Sequence, residues 1–327
     1  MKILFICSKE FDYAQDLAYS GLVKILGRHN VVEYPWNIKY HLPLKEYPKN
    51  LGYHSLSFRL PLLGQFDSFD LIILGAVKPD ALHTYSKILS VIKNKPVVFI
   101  DGGDDDKVGG DFYRLKASNE FENVIQQKPF DIILKREYIP ALHDKPGNIF
   151  PFPFSFPYNI GIKTQTEQEK KYEVSFWGRQ WPPVREKALK ILSGRYDCDT
   201  NGTILNQDFS TYKRKGKFYL EELAACKIVL NFRGGGWDTM RYWETPAVGS
   251  FMISQRPKIS IPNNFEEGKH VVWCDDSLDD LIDKIDYYLQ RPEERERMAR
   301  NAKEHLETYH LNTKRAEFIL EKARGIL

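Results

Sequence analysis

The stretch from Lys227 to Glu244, KIVLNFRGGGWDTMRYWE, decides how the second half of this chain is read. Lys227–Asn231 is a short apolar run of the kind buried on both faces of a parallel sheet. Gly234, Gly235 and Gly236 follow, and glycines let a backbone approach a ligand closely and take positive φ. Trp237 completes the turn, and Asp238 or Thr239 is placed to cap a helix predicted over Asp238–Ala247. The unpaired N–H groups at such a helix start, together with its dipole, favour a phosphate. Arg241 adds a planar donor fork suited to phosphate oxygens. Glu244 lies three residues on, on the same helical face, where a carboxylate can accept from two vicinal ribose hydroxyls. Taken singly these are a surface turn, a solvated arginine and an exposed glutamate. In this order they describe a nucleoside diphosphate site.

On both sides the alternation of strand and helix continues. In the second half, strands are predicted at Tyr172–Trp177, Ser250–Ser254 and His270–Trp273. Helices are predicted at Val184–Leu192, Phe218–Ala225, Leu278–Leu289 (opened by Asp275-Asp276-Ser277), Pro292–Glu307 and Thr313–Ala323. In the first half, strands are predicted at Lys2–Cys7, Val31–Tyr34, Phe69–Gly75, Pro96–Ile100 and Phe130–Leu134, with helices at Ala14–Leu26 and Asp80–Ile92. This rhythm predicts α/β architecture with parallel sheets and right-handed crossovers. Trp36–Gln65, rich in Tyr, Leu and Pro, reads as a long excursion at the carboxyl edge of the first sheet. The alternate prolines of Phe150–Pro157 exclude helix and central strand. That run and the charged sequence Lys163–Lys171 mark a domain junction.

A length of 327 residues suits two cores. Hydrophobic content of 42% beside 28% charged residues indicates a soluble globular protein. The aromatic residues are read mostly as core. A net charge of +3 is small for a dedicated nucleic-acid binder. Cys7, Cys198, Cys226 and Cys274 form no CxxC pair, so neither zinc nor a disulfide framework is indicated. The opening MKILFICSKE breaks at Ser8-Lys9-Glu10 and reads as a buried strand rather than a signal peptide. No run approaches the roughly 18 apolar residues of a membrane span. The expectation is a cytoplasmic protein without stable membrane insertion, with peripheral contact at the inner face of a membrane left open.

Arg241-Tyr242-Trp243-Glu244-Thr245-Pro246-Ala247-Val248-Gly249 resembles the R-x-x-E-x-x-A-x-G block of the group 1 glycosyltransferases, in the branch related to spore maturation proteins. Phe265–Val272, Leu278–Leu289 and Pro292-Glu293-Glu294-Arg295 are similar to the closing elements of that branch, so the resemblance covers Tyr172–Leu327. It implies the GT-B fold, two Rossmann-like domains facing each other across a cleft. Residues 1–158 would be an acceptor domain, 159–171 a linker, 172–310 a donor domain and 311–327 a helix packing back on the first domain. It further implies a nucleotide-sugar co-substrate, a UDP-sugar first among them, with no cofactor and no obligatory metal. Glu244 would hold the ribose; Arg241 and the Gly234–Thr239 turn the diphosphate. Trp177-Gly178-Arg179 would face the same phosphates, with Arg185 assisting. Gly236 stands eight positions before Glu244, where many retaining members carry a glutamate, and this favours inversion.

An inverting enzyme needs a base for the acceptor hydroxyl. Asp101 and Asp104 follow the strand Pro96–Ile100, and crowded carboxylates raise one another's pKa. The same loop also reads as a solvated acidic turn, or as an Asp-x-Asp-like metal motif at Asp104–Asp106. Lys135 and Arg136 end the next strand and suit an anionic acceptor or the leaving diphosphate; a surface charge cluster is the plain alternative. Ser8 and Lys9 end the first strand. His83, His143 and His270 are not read as catalytic, His270 being taken to open a strand. The acceptor classes are a glycan, a lipid-linked glycan, a protein or a modified DNA base. The last, with lysines such as Lys213–Lys217, would make a phage-type DNA glucosyltransferase. A non-catalytic sugar-nucleotide binder is the third reading.

Overall fold

The structure, a computed structural model, describes residues 1–43, 46–54, 66–92, 94–176, 178, 181–197 and 216–327. The expectations placed on Trp177, Arg179, Cys198, Lys213 and most of the later part of Trp36–Gln65 lie outside these residues. The chain divides into two compact units. One is Met1–Tyr158 with Ile259–Pro262 and Leu311–Leu327; the other is Asn159–Lys258 with Asn263–His310.

The first unit holds strands β1 (Ile3–Ile6), β2 (Val31–Tyr34), β3 (Leu71–Leu74), β4 (Val97–Asp101), β5 (Ile132–Lys135) and β6 (Ile149–Pro151). Its helices are α1 (Tyr13–Leu26), α2 (Pro79–Ile92), α3 (Gly110–Arg114), α4 (Ser118–Gln127) and α5 (Pro140–His143). The strands are parallel in the order β2-β1-β3-β4-β5-β6, so strand order reverses between β1 and β3. Every residue of β1, β3 and β4 is buried, which is why these strands read as unbroken apolar runs. Alternate residues Leu4, Ile6, Ile72, Leu74, Val97 and Phe99 share one face and pack on Leu82, Tyr85 and Leu89 of α2 and Phe121 of α4.

The second unit holds β7 (Tyr172–Ser175), β8 (Cys226–Asn231), β9 (Phe251–Gln255) and β10 (Val272–Cys274), parallel in the order β10-β9-β8-β7. Its helices are α6 (Pro183–Leu192), α7 (Gly216–Ala224), α8 (Met240–Ala247), α9 (Leu281–Leu289) and α10 (Pro292–Tyr309). Val174, Ile228, Leu230, Phe251 and Ile253 meet Leu189 and Leu192 of α6 and Leu281 and Ile285 of α9. Among the boundaries that differ from the sequence reading, two have a visible cause. Leu278 has φ 61°, and the N–H of Asp275 donates to Asp280 Oδ1 (2.9 Å), so the acidic run closes a turn and the helix begins at Leu281. His270 does not open a strand: its Nδ1 accepts from the Glu266 N–H (3.0 Å), and β10 begins at Val272.

The last helix, α11 (Asn312–Arg324), packs on α1 within the first unit. The Pro/Phe run, expected at a domain junction, belongs to this unit as well. Pro151 lies on the edge strand β6, where its missing N–H costs no ladder bond. Prolines also leave neighbouring carbonyls without strand partners, and Arg315 of α11 takes two of them. Its Nε donates to Pro153 O (2.9 Å) and its Nη2 to Phe154 O (3.0 Å). Asn312 donates to Leu17 O (3.1 Å) and accepts from the Tyr158 N–H (2.9 Å).

The α1–α11 contact depends on Gly21. A Cβ there would lie 2.4 Å from Asn312 O and 3.1 Å from Ala316 Cβ. Alanine is the better helix former by about 1 kcal/mol, but overpacking against backbone costs about 1–3 kcal/mol. Gly21→Ala is expected to lower the thermal midpoint by several degrees in a circular-dichroism melt. An unchanged midpoint would mean that α11 does not dock there.

Candidate functional site

In the second unit the polar groups singled out in the sequence gather where β7 and β8 end. The buried ring of Phe176, just past β7, lies under two guanidinium groups. Arg241 Cζ is 5.0 Å and Arg185 Cζ 5.8 Å from its centroid. Gly178 fits because a Cβ there would sit 2.7 Å from the same ring. Arg185 also clamps the chain leaving β8, its Nε donating to Arg233 O (2.8 Å) and its Nη2 to Phe232 O (3.2 Å). The Gly234–Gly236 turn is therefore held from below, and a Cβ on Gly234 would come within 3.2 Å of Arg185 Nη2. None of the three glycines adopts the left-handed backbone that was expected of them. The turn needs their small size at Gly234, not positive φ. The Trp237 ring meets two cations, Arg233 (4.7 Å) and Lys258 (5.4 Å).

Thr239 occupies the N-cap of α8, but its side chain makes no cap hydrogen bond. Thr239 Oγ1 instead donates to Asn231 Oδ1 at the end of β8 (2.7 Å), and Asp238 accepts from Trp243 Nε1 (2.7 Å). The first bond pins the helix start to the sheet and turns the Thr239 hydroxyl away from the first N–H groups of the helix, the kind of groups that suit an anion. Arg241 is buried, and its Nε has no partner. Glu244, one turn on, is also buried and accepts from the Tyr219 hydroxyl (2.9 Å), which hydrogen-bonds Arg241 too. Burial first, then the Glu244 charge, holds the Tyr219 phenol well above its ordinary pKa. Tyr219 was not foreseen, since nothing local in α7 points to α8. Arg179 lies outside the described residues.

The acidic loop of the first unit differs from expectation. Asp101 is fully buried and paired with Lys135 Nζ (3.1 Å), the residue directly across from it in β5. Asp101 also accepts from the N–H groups of Gly109 (2.7 Å) and Gly103 (3.4 Å). Lys135 spends a further proton on Asp105 O (2.6 Å). Asp104, half exposed, pairs with Arg136, which also holds Glu137 (3.2 Å) and stacks on Phe154 (4.5 Å). Burial raises the Asp104 pKa, but the charge and hydrogen bond of Arg136 outweigh it and the carboxyl ends below its ordinary range. Asp101 and Asp104 are thus each paired with a cation, and Lys135 and Arg136 fasten the loop. Among the described residues, no group of three or more His, Cys, Asp or Glu side chains is arranged to hold a metal ion.

One residue that sequence reasoning missed stands beside this loop. Asp12 caps α1, its Oδ1 accepting from the Gln15 N–H (2.9 Å), at the carboxyl edge next to the β1/β3 reversal. A Cβ on Gly102 would lie 3.8 Å from the same oxygen. Burial is the main cause that pushes the Asp12 carboxyl up to about 6. The rings of its chain neighbours Phe11 and Tyr13 meet at 4.6 Å between centroids, and Tyr13 meets Phe154 at 5.5 Å. The signal available was a helix-capping Asp shortly after a first buried strand.

Among solved structures, the chain is similar in fold to Anabaena Alr3699/HepE in complex with UDP and glucose, at 13% identity over 99% of each chain with a TM-score of 0.62. The same protein with UDP-glucose matches at 13% identity over 99% of this chain and 100% of that one, also at 0.62. An alpha-glucosyltransferase in complex with UDP and a 13-mer DNA containing a central A:G mismatch matches at 13% identity over 98% of each chain, at 0.53. These likenesses define the fold class: two Rossmann-like α/β domains in one chain. Residues 162–321 match the family model described as glycosyl transferase-like. Among curated protein sequences, none matches this chain. No helix among the described residues is long and apolar enough to cross a membrane.

Removing one partner of a buried ion pair costs about 3–5 kcal/mol, because the other charge is left unpaired. Lys135→Met is therefore expected to lower the urea midpoint of the first unit strongly, and adding Asp101→Asn should recover part of the loss. If Lys135→Met unfolds at the parent midpoint, the pair is not buried.

Proposed function

We propose that the protein is a glycosyltransferase that moves a sugar from a nucleoside diphosphate sugar, a UDP-sugar foremost, to an acceptor hydroxyl, with inversion and without an obligatory metal. One observation carries this reading. Two guanidinium groups, Arg185 and Arg241, converge over Phe176 beside the uncapped start of α8, with Glu244 one helical turn further. The glycosyl transferase-like match over 162–321 supports it, as do the fold neighbours holding UDP with glucose or UDP-glucose.

In this reading the second unit, through residues 172–310, holds the donor. The diphosphate takes the first N–H groups of α8 together with Arg241 and Arg185, and Glu244 accepts from the ribose hydroxyls. The first unit, through residues 1–158, supplies the acceptor and the base. Asp12 serves as that base in preference to Asp101, whose carboxylate is committed to Lys135 and two backbone N–H groups. Arg136 makes Asp104 a weaker base. The acceptor oxygen attacks the anomeric carbon as the bond from that carbon to the β-phosphate oxygen breaks. The hydroxyl proton passes to Asp12, and the diphosphate leaves with its new charge held by the cations and the helix start. A DNA-base acceptor is the second reading, favoured by the DNA-bound neighbour; salt-sensitive retention on DNA would support it.

Arg241→Ala is expected to weaken UDP binding at least about tenfold in calorimetry, the scale of a lost charge-assisted hydrogen bond. Unchanged affinity would remove the diphosphate from this turn. Asp12→Asn is expected to lower kcat by about 10²–10⁴ while UDP affinity is kept. Asp12 is a free base only above its pKa of about 6, so the parent rate should fall as pH drops through that value and the variant's should not. A variant that keeps full turnover would move the base elsewhere.

A further inference from the structure

A cavity rimmed by charged side chains lies within the second unit, at the edge of the sheet where β7, β8 and β9 begin. The glycine turn lies at the other edge, roughly 20 Å away along the six residues of β8. The cavity measures about 250 Å³ and gathers five cations, Lys170, Lys227, Arg295, Arg300 and Lys303, against two carboxylates, Glu167 and Glu296.

The carboxylates are already engaged. Glu167 pairs with Arg295. Glu296 pairs with Arg300 (3.5 Å) and accepts from the Glu167 N–H (3.2 Å). Lys303 has its own partner in Glu307 (2.8 Å). Lys170 donates to Ser250 Oγ (3.1 Å) and to Ala224 O but meets no carboxylate among the described residues, and Lys227 makes no ion pair among them. The side chain of Arg295 is only 2% exposed. Its Nη1 donates to Leu289 O (2.8 Å) at the end of α9, yet its Nε has no partner. The Oε1 of Gln165, on the same wall, is likewise buried without a donor.

Buried polar atoms are almost always satisfied, and exceptions point to a missing partner. Here one orphan is a cationic donor and the other a neutral acceptor. A ligand that completes both carries anionic oxygens and a hydroxyl. The volume falls just under the roughly 300–1,000 Å³ of pockets for drug-sized molecules, so the ligand is small. We propose that this cavity binds a small phosphate monoester bearing hydroxyl groups, of the sugar phosphate kind. Its phosphate would lie against Lys170, Lys227 and Arg295 Nε, and a hydroxyl against Gln165 Oε1. Burial is the main cause that lowers Lys170 to about 8, which leaves it mostly charged near neutral pH and able to meet an anion. The site is separate from the glycine turn and does not rest on the transferase reading.

The test is calorimetric titration of the full chain with glucose 6-phosphate and, separately, inorganic phosphate. Glucose 6-phosphate is expected to bind more tightly than about 1 mM, with inorganic phosphate weaker. Lys227→Gln should weaken both by about tenfold. Gln165→Leu should weaken glucose 6-phosphate and leave inorganic phosphate unchanged, a split that general misfolding would not produce. Arg241→Ala should leave both affinities intact. The proposal is overturned if neither compound binds, if Lys227→Gln and Gln165→Leu bind as the parent does, or if only Arg241→Ala loses binding, which would put the anion at the glycine turn.

Discussion

A parallel strand can be followed by another only after the chain has crossed back over the sheet, so all strands of such a sheet end on one side. Helices cover both faces, and the segments leaving the carboxyl edge are where polar groups can collect without disturbing the ladder. Both units obey this constraint, and their chemistry lies accordingly. In the first, Asp12 follows β1 and the acidic loop follows β4, on either side of β3. In the second, Phe176 and Gly178 follow β7, and the glycine turn follows β8. The bond from Thr239 to Asn231 fixes α8 to that edge, and every other feature of the turn is arranged around it.

The two carboxyl edges treat buried charge in opposite ways. In the first unit, Asp101 and Lys135 face each other across neighbouring strands, and mutual attraction offsets much of the cost of removing them from water. In the second, Arg241 rests on the face of Phe176, where the ring's quadrupole recovers a small part of its lost hydration. Its orphan Nε is an unmet demand, and unmet demands of this kind mark where a ligand belongs.

Much of the layout was legible in the residues because burial on both faces leaves a simple trace. The apolar cores of β1, β3 and β4 stand as unbroken hydrophobic runs, each with a charged residue at one end. The site was legible in part. Arg241 and Glu244 share a helix, so spacing alone brings them to one face. Asp101 and Lys135 are 34 positions apart, and their meeting depends on strand register, which no local pattern reports. The cap of α8 was misjudged for a related reason. Asp238 and Thr239 have the right chemistry, but Trp243 and Asn231 claim them first. Asp12 was overlooked because its raised pKa comes from surroundings assembled by distant segments, and the remote cavity draws its cations from three separate stretches.

The first unit is made of the beginning of the chain and its last helix, with more than 150 residues between Tyr158 and Leu311 devoted mainly to the other unit. Gly21 keeps a notch in α1 into which Asn312 and Ala316 fit. During synthesis the ribosome releases that notch early and its filling late. One flank of α1 therefore stays bare until that segment is made, after the strands of the other sheet. Completion of the older half is a late event, contingent on the final turns of chain arriving.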